Sequence, residues 1–155
     1  MTLLQHFNCQ KAGHHLMSNN SPSPIEVRHF DHVTLVVSDL AATQHFYVNV
    51  LGLEKTTRPA FNFPGDWYEI ENILVHVILA NSDSGLPGPG DRNVKKVSRG
   101  QHLAFNIDDF EGTIDLLKQH GIAIASGPNE RPDGAAQIYI NDPDGHLIEL
   151  FALKV

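Results

Sequence analysis

Cysteine is almost absent from this chain: Cys9 stands alone, which excludes an internal disulfide and suits a reducing cytoplasm. Positive charge is scarce as well. Eleven Lys and Arg against 18 Asp and Glu leave a net charge of -7, the reverse of a nucleic-acid footprint. The one basic cluster, Lys95, Lys96 and Arg99, lies in a loop and reads as solvated surface. No apolar run approaches the ~20 residues of a membrane-spanning helix, and the start of the chain lacks the apolar stretch of a secretory signal. These absences leave a cytoplasmic globular protein, 41% hydrophobic and 19% charged, of a size that buries a proper core.

Histidine is the residue in excess, with ten against the eleven Lys and Arg. Three of them, His6, His14 and His15, belong to an N-terminal extension over residues 1–26. That extension has no sustained period and ends in the breaker-rich run Ser18 to Pro24, with Met17 as an alternative start. The fold is expected over residues 27–155.

There the chain repeats itself. Module one, about residues 27–80, opens with the β-branched run His32-Val33-Thr34-Leu35-Val36-Val37. Ser38-Asp39 then offers N-cap oxygens to a helix over Leu40 to Leu51, which Gly52 terminates. Trp67 to Ile70 and Ile73 to Leu79 read as hairpin strands around Glu71-Asn72. Residues 81–101, rich in Gly and Pro, form a linker. Module two, residues 102–155, repeats the plan. His102 to Ile107 is its first strand, and Asp108-Asp109 caps a helix that Gly121 ends. A short strand covers Ile122 to Ala125, and Ala136 to Ile140 and Leu147 to Phe151 flank the turn Asp142-Pro143-Asp144-Gly145. His32 and His102 hold the same place in their units, as do Asp39 and Asp109; His76 and Glu149 hold matching places in the last strands.

Side chains alternate along a strand, so His32, Thr34 and Val36 face one side and the apolar Val33, Leu35 and Val37 the other, under the helices. The same division holds for His102, Ala104 and Asn106, and for Leu147, Glu149 and Phe151. A carboxylate in the middle of an apolar strand is costly to bury without compensation. A divalent cation compensates it, and imidazole with carboxylate is a usual ligand set for first-row metals.

The runs Asp31 to Val37 and Phe46-Tyr47-Val48-Asn49-Val50-Leu51-Gly52-Leu53, with Gln101 to Phe105 and Asp142-Pro143-Asp144-Gly145-His146-Leu147-Ile148-Glu149-Leu150, resemble the vicinal-oxygen-chelate proteins. This is the glyoxalase, bleomycin-resistance and dioxygenase superfamily. The resemblance implies an α+β fold of two βαβββ modules curled around a metal cavity, commonly in a homodimer. It implies His32, His102 and Glu149 as ligands of one divalent ion (Zn, Ni, Co, Mn or Fe), with His76 at the place of a fourth. Glyoxalase I-like members commonly carry Glu where His76 stands, so this chain departs from their pattern. The resemblance further implies a metal-dependent lyase or isomerase acting on a small oxygenated metabolite or thiol adduct. Glu149, Tyr139 and Glu69 are its acid–base candidates. Two other readings stay open: a drug- or metabolite-sequestering protein, and an extradiol-type dioxygenase, since the His-His-Glu set also suits Fe(II). In fosfomycin-modifying thiol transferases a phosphonate-binding Lys and Ser fall at Asn129 and Asp133 of this chain, which argues against that substrate. Trp67, Phe61, Phe63, Phe105 and Phe151 are candidate pocket aromatics, with core packing as their default. His45, His120 and His146 are expected at the surface.

Overall fold

In each half of the repeat a strand, a helix and three further strands fold into one small sheet. The computed structural model describes residues 25–90 and 97–153. His6, His14 and His15 of the extension, and Lys95 and Lys96 of the basic cluster, lie outside the described residues. Module one comprises β1 (His32–Val37), α1 (Leu40–Gln44), a π-helical segment (His45–Val50), β2 (Glu54–Thr56), β3 (Gly65–Ile70) and β4 (Ile73–Leu79). Module two comprises β5 (Leu103–Asn106), α2 (Phe110–Gln119), β6 (Ile124–Glu130), β7 (Ala136–Asn141) and β8 (Leu147–Ala152), preceded by a 3-10 turn at Val97–Arg99. The two sheets have the same order, β1-β4-β3-β2 and β5-β8-β7-β6. In each the first strand runs parallel to the last, and the other pairings are antiparallel.

The caps form where they are expected. The Asp39 carboxylate accepts from the Ala41 and Ala42 amides, and Asp109 from Gly112. Gly52 adopts φ +79°, and across it the Leu53 amide reaches back to the Tyr47 carbonyl at 2.9 Å, a left-handed helix stop. Three local features depart from expectation. The first helix widens into π geometry after Gln44, with Leu51 N–H bonded to the carbonyl of Phe46 five residues back. That wider turn lets the adjacent rings of Phe46 and Tyr47 both be buried. β2 is only three residues long and has no apolar signature. β6 begins at Ile124 and runs on through Gly127-Pro128, as an edge strand whose register shifts against β7; an edge can absorb such breakers.

One core serves both modules. Leu35, Val37, Val75, Val77 and Tyr68 of the first sheet join Ile138, Ile140, Ile148 and Leu150 of the second, and Leu117 of α2, in a single buried cluster with Phe46 and Tyr47. The turn after β7 locks the halves together. Asp142 accepts from the Tyr47 hydroxyl at 3.1 Å, and the Asp144 carboxylate from the Ser38 amide. His146, expected at the surface, is 6% exposed, and its Nδ1 lies 2.8 Å from Asp142. The turn packs inward against Tyr47 rather than projecting into water, and the ring goes with it.

Burial and the neighbouring Asp142 hold the Tyr47 hydroxyl neutral far into the alkaline range, and burial with Asp66 does the same for Tyr68. A phenol whose folded-state affinity for its proton is raised contributes stability that is complete below the unfolded value, about pH 10. It is lost as pH climbs above that. Stability should therefore fall above about pH 10, and Tyr47→Phe should flatten that fall in urea titrations at pH 8 to 11. A second expectation concerns Gly65, where an added Cβ would run into the backbone carbonyl of Val77 on the paired strand. Gly65→Ala should cost about 1–3 kcal/mol, read from the urea midpoint.

Candidate metal centre

The strand register sets the donors at equivalent points of the two sheets. His76 sits opposite Thr34 on β1 and Trp67 on β3. Glu149 sits opposite Ala104 on β5 and Tyr139 on β7. His32 begins β1 and His102 immediately precedes β5. The helix-side residues Leu35, Val37, Val75 and Val77 are buried, while His32, Thr34, Ala104 and Asn106 on the other face are exposed.

In module one the His32 and His76 rings stack with centroids 4.0 Å apart, and Trp67 stacks on His76 at 4.1 Å. The Asp31 carboxylate lies 2.7 Å from His32 Nδ1. It fixes the ring and leaves Nε2 available, the usual carboxylate–imidazole arrangement behind a metal ligand. That hydrogen bond holds Asp31 below the ordinary carboxylate range. Nε2 of His76 is buried with no hydrogen-bond partner. Burial, then the adjacent His32, lowers its proton affinity, which favours the neutral form that a metal ligand requires.

In module two Nδ1 of His102 is bonded to the Gly100 carbonyl at 2.8 Å, and Nε2 lies 2.9 Å from Glu149 Oε2. Glu149 is 6% exposed. A carbonyl accepts only from N–H, so Nδ1 carries a proton and Nε2 faces a carboxylate oxygen. That contact requires a second proton on the ring, a proton on the carboxyl, or a cation shared between the two atoms. The other oxygen, Oε1, makes no hydrogen bond; Arg131 Nη1 stands off at 3.5 Å, its guanidinium held by Asp133 at 2.6 Å and lying over the Phe151 ring. The Tyr139 ring meets His102 edge-on at 5.6 Å, and burial together with Glu149 keeps its hydroxyl protonated. Two oriented imidazoles, a third whose Nε2 is buried and unbonded, and a buried carboxylate suit a divalent first-row cation in donor chemistry.

The chain brings these residues together in two pairs, His32 with His76 and His102 with Glu149. Among the described residues, no group of three or more His, Cys, Asp or Glu side chains is placed to hold a metal ion. Glu69, the remaining acid–base candidate, is exposed on β3 beyond Trp67 and opposite Leu74. Of the candidate aromatics, Phe105 belongs to the core periphery, Phe61, Phe63 and Trp67 line a cavity with His32 and His76, and Phe151 flanks Arg131. The asset that sequence reasoning passed over is cationic: Arg58 and Arg131 each stand beside one of the donor pairs. Neither has a periodic signal, although Arg58 opens the alternation Arg58-Pro59-Ala60-Phe61-Asn62-Phe63.

Comparison with known proteins agrees with this architecture. The chain is 30% identical over 130 residues to the metallothiol transferase FosB of Staphylococcus haemolyticus, covering 80% of this chain and 83% of that protein. It is 26% identical over 136 residues to Glyoxylase I 4 of Arabidopsis thaliana, covering 86% and 76%. A glyoxalase/dioxygenase structure from Nostoc punctiforme superposes with a TM-score of 0.67 at 28% identity, over 90% of this chain and all of that one. The family model of the glyoxalase/bleomycin resistance protein/dioxygenase superfamily matches residues 29–150, and the chain belongs to that superfamily.

Proposed function

We propose that this protein is a divalent-metal-dependent enzyme of lyase or isomerase type acting on a small oxygenated metabolite or thiol adduct. Its metal would be held by His32, His76, His102 and Glu149. The observation that carries this reading is Glu149, a carboxylate buried in an apolar strand with one oxygen against the lone-pair position of His102 and the other without a hydrogen bond. A bound divalent cation would act there as a Lewis acid toward negative charge developing on substrate oxygens. The side chains then divide the remaining work. Asp31 and the Gly100 carbonyl orient His32 and His102, and Trp67 keeps His76 in place and shields it from water. Tyr139, whose hydroxyl burial and Glu149 keep protonated, would donate a proton to a substrate oxygen.

Because the donors lie in two pairs on separate sheets, the proposed centre is completed between two copies, His32 and His76 of one chain facing His102 and Glu149 of the other. The exposed faces bearing His32, Thr34, Ala104 and Asn106 would be covered in such a two-fold pair. A second reading has its own support. The 2.9 Å contact satisfies His102 Nε2 and Glu149 Oε2 without a metal if the ring is doubly protonated, as in a metal-free sequestering protein. An Fe(II) dioxygenase would use the same ligands.

Elemental analysis of untagged protein, with sedimentation equilibrium, separates these readings. The enzyme reading expects about one divalent ion per chain in a dimer, and the identity of the ion discriminates iron from the others. A metal-free chain would support sequestration instead.

A further inference from the structure

Beside His32 and His76 lies a cavity of about 230 Å³ whose walls include Arg58, Phe61, Phe63 and Trp67. Its chemistry is unlike that of the donor pairs. The Arg58 guanidinium carbon sits 4.7 Å from the centroid of the Phe61 ring and 4.8 Å from that of Phe63. Its Nη2 donates to the Phe63 carbonyl at 3.0 Å. Two aromatic faces and one backbone carbonyl thus fix the position of the fork, and the side chain is only partly exposed. Among the described residues, no carboxylate forms an ion pair with it, whereas Lys55 and Lys118 each have one carboxylate partner and Arg131 has two. An oriented guanidinium with free donors and no counter-ion is a receptor for an anion.

The aromatic groups state what kind of anion. Trp67 is stacked against His76 on one face, with an interplanar angle of 5°. Phe61 approaches Trp67 with centroids 6.2 Å apart and tilted by 52°, and Phe61 stacks on Phe63 at 5.2 Å. A flat molecule finds ring faces and edges here rather than aliphatic bulk. The volume lies below the ~300–1,000 Å³ of pockets that take drug-sized ligands, so the occupant is small or is one end of a larger molecule. Phe63 and Ile78 also line an adjoining cavity of about 450 Å³ bordered by Asn81 and Ser84, which leaves room for such an extension. One guanidinium, with no Lys or second Arg on the cavity wall, matches a monoanion better than a phosphate dianion.

We infer that the Arg58–Phe61–Phe63–Trp67 cavity is a binding site for a small planar carboxylate, the guanidinium taking the carboxylate and the rings taking the flat body. As the substrate site of the enzyme proposed above, it makes the substrate anionic. That last step rests on the enzyme reading; the binding itself does not.

Trp67 is the single tryptophan of the chain, so its fluorescence reports on this cavity alone. Benzoate and its neutral isostere benzamide are titrated into wild type, Arg58→Gln and Arg58→Lys, each in EDTA and again with added zinc. In EDTA the wild type should bind benzoate saturably and at least about tenfold more tightly than benzamide, a difference expected from one charge-assisted hydrogen-bonded pair. Arg58→Gln should abolish that preference while leaving benzamide unchanged, and Arg58→Lys should keep part of it. Circular dichroism of the variants checks their fold. Equal affinity for benzoate and benzamide in the wild type, or a benzoate preference that survives in Arg58→Gln, overturns the inference. Because the EDTA arm contains no metal, these outcomes are independent of whether the metal centre exists. A benzoate preference seen only with zinc would place the anion on the metal and equally overturn the role of Arg58.

Discussion

Glu149→Gln is expected to lower divalent-metal affinity by more than about 100-fold, since altering even a residue behind the ligands commonly costs 10- to 100-fold. Glu149 is the only anion among the four proposed donors, and it is 6% exposed. Its removal leaves a dication facing neutral imidazoles in a partly desolvated cavity, where Coulomb attraction is much stronger than at the surface. His76→Gln removes a neutral donor instead. It should change which metal is preferred while leaving a three-ligand site. The apo form of Glu149→Gln should fold normally, because the sheet–helix core does not involve the carboxylate and Arg131 keeps Asp133 as its partner. Metal content after dialysis of wild type and both variants is the readout. Equal metal in wild type and Glu149→Gln would remove Glu149 from the centre.

The second large effect concerns stability. Asp142 accepts from the Tyr47 hydroxyl, His146 Nδ1, the His146 amide at 2.7 Å and the Asp144 amide at 3.0 Å. Asp142→Ala strands three buried donors, one of them on the other module, and the part-buried Asp144 amide. Removing one partner from a buried network costs its full desolvation penalty, so a loss of about 3–5 kcal/mol is expected in urea unfolding. Tyr47→Phe removes a single hydroxyl and should cost about 1 kcal/mol. A loss below about 1 kcal/mol for Asp142→Ala would mean that the turn does not couple the modules.

Much of this molecule was legible in its sequence, for reasons that can be traced residue by residue. Alternation in His32 to Val37 separates a site face from a core face because a strand has period two. Asp39, Asp109, Gly52 and Gly121 mark helix ends because capping is local chemistry. The matching places of His76 and Glu149 hold in three dimensions because the two sheets share one register. What escaped depends on contacts between distant segments. The burial of His146 requires Tyr47 to approach its turn from the other module. The π-helical segment follows from the need to bury two adjacent rings, and the three residues of β2 pair only because β3 is present. Arg58 has no local signal: among the described residues it lacks a carboxylate partner, and only the folded cavity reveals that. That the four donors fall into two pairs, and not one cluster, is also a property of module placement that strand patterns do not encode.

Mixing of variant chains tests whether the proposed metal centre is assembled from both modules across two chains. A His32→Ala/His76→Ala chain and a His102→Ala/Glu149→Gln chain should each be metal-free alone. In a hybrid dimer formed by refolding the two together, one of the two sites would regain all four ligands. Statistical exchange should then restore about a quarter of the wild-type metal content. Full metal in either variant alone would contradict the ligand set. Metal-free hybrids, from a mixture shown by native mass spectrometry to contain heterodimers, would contradict assembly across the two chains.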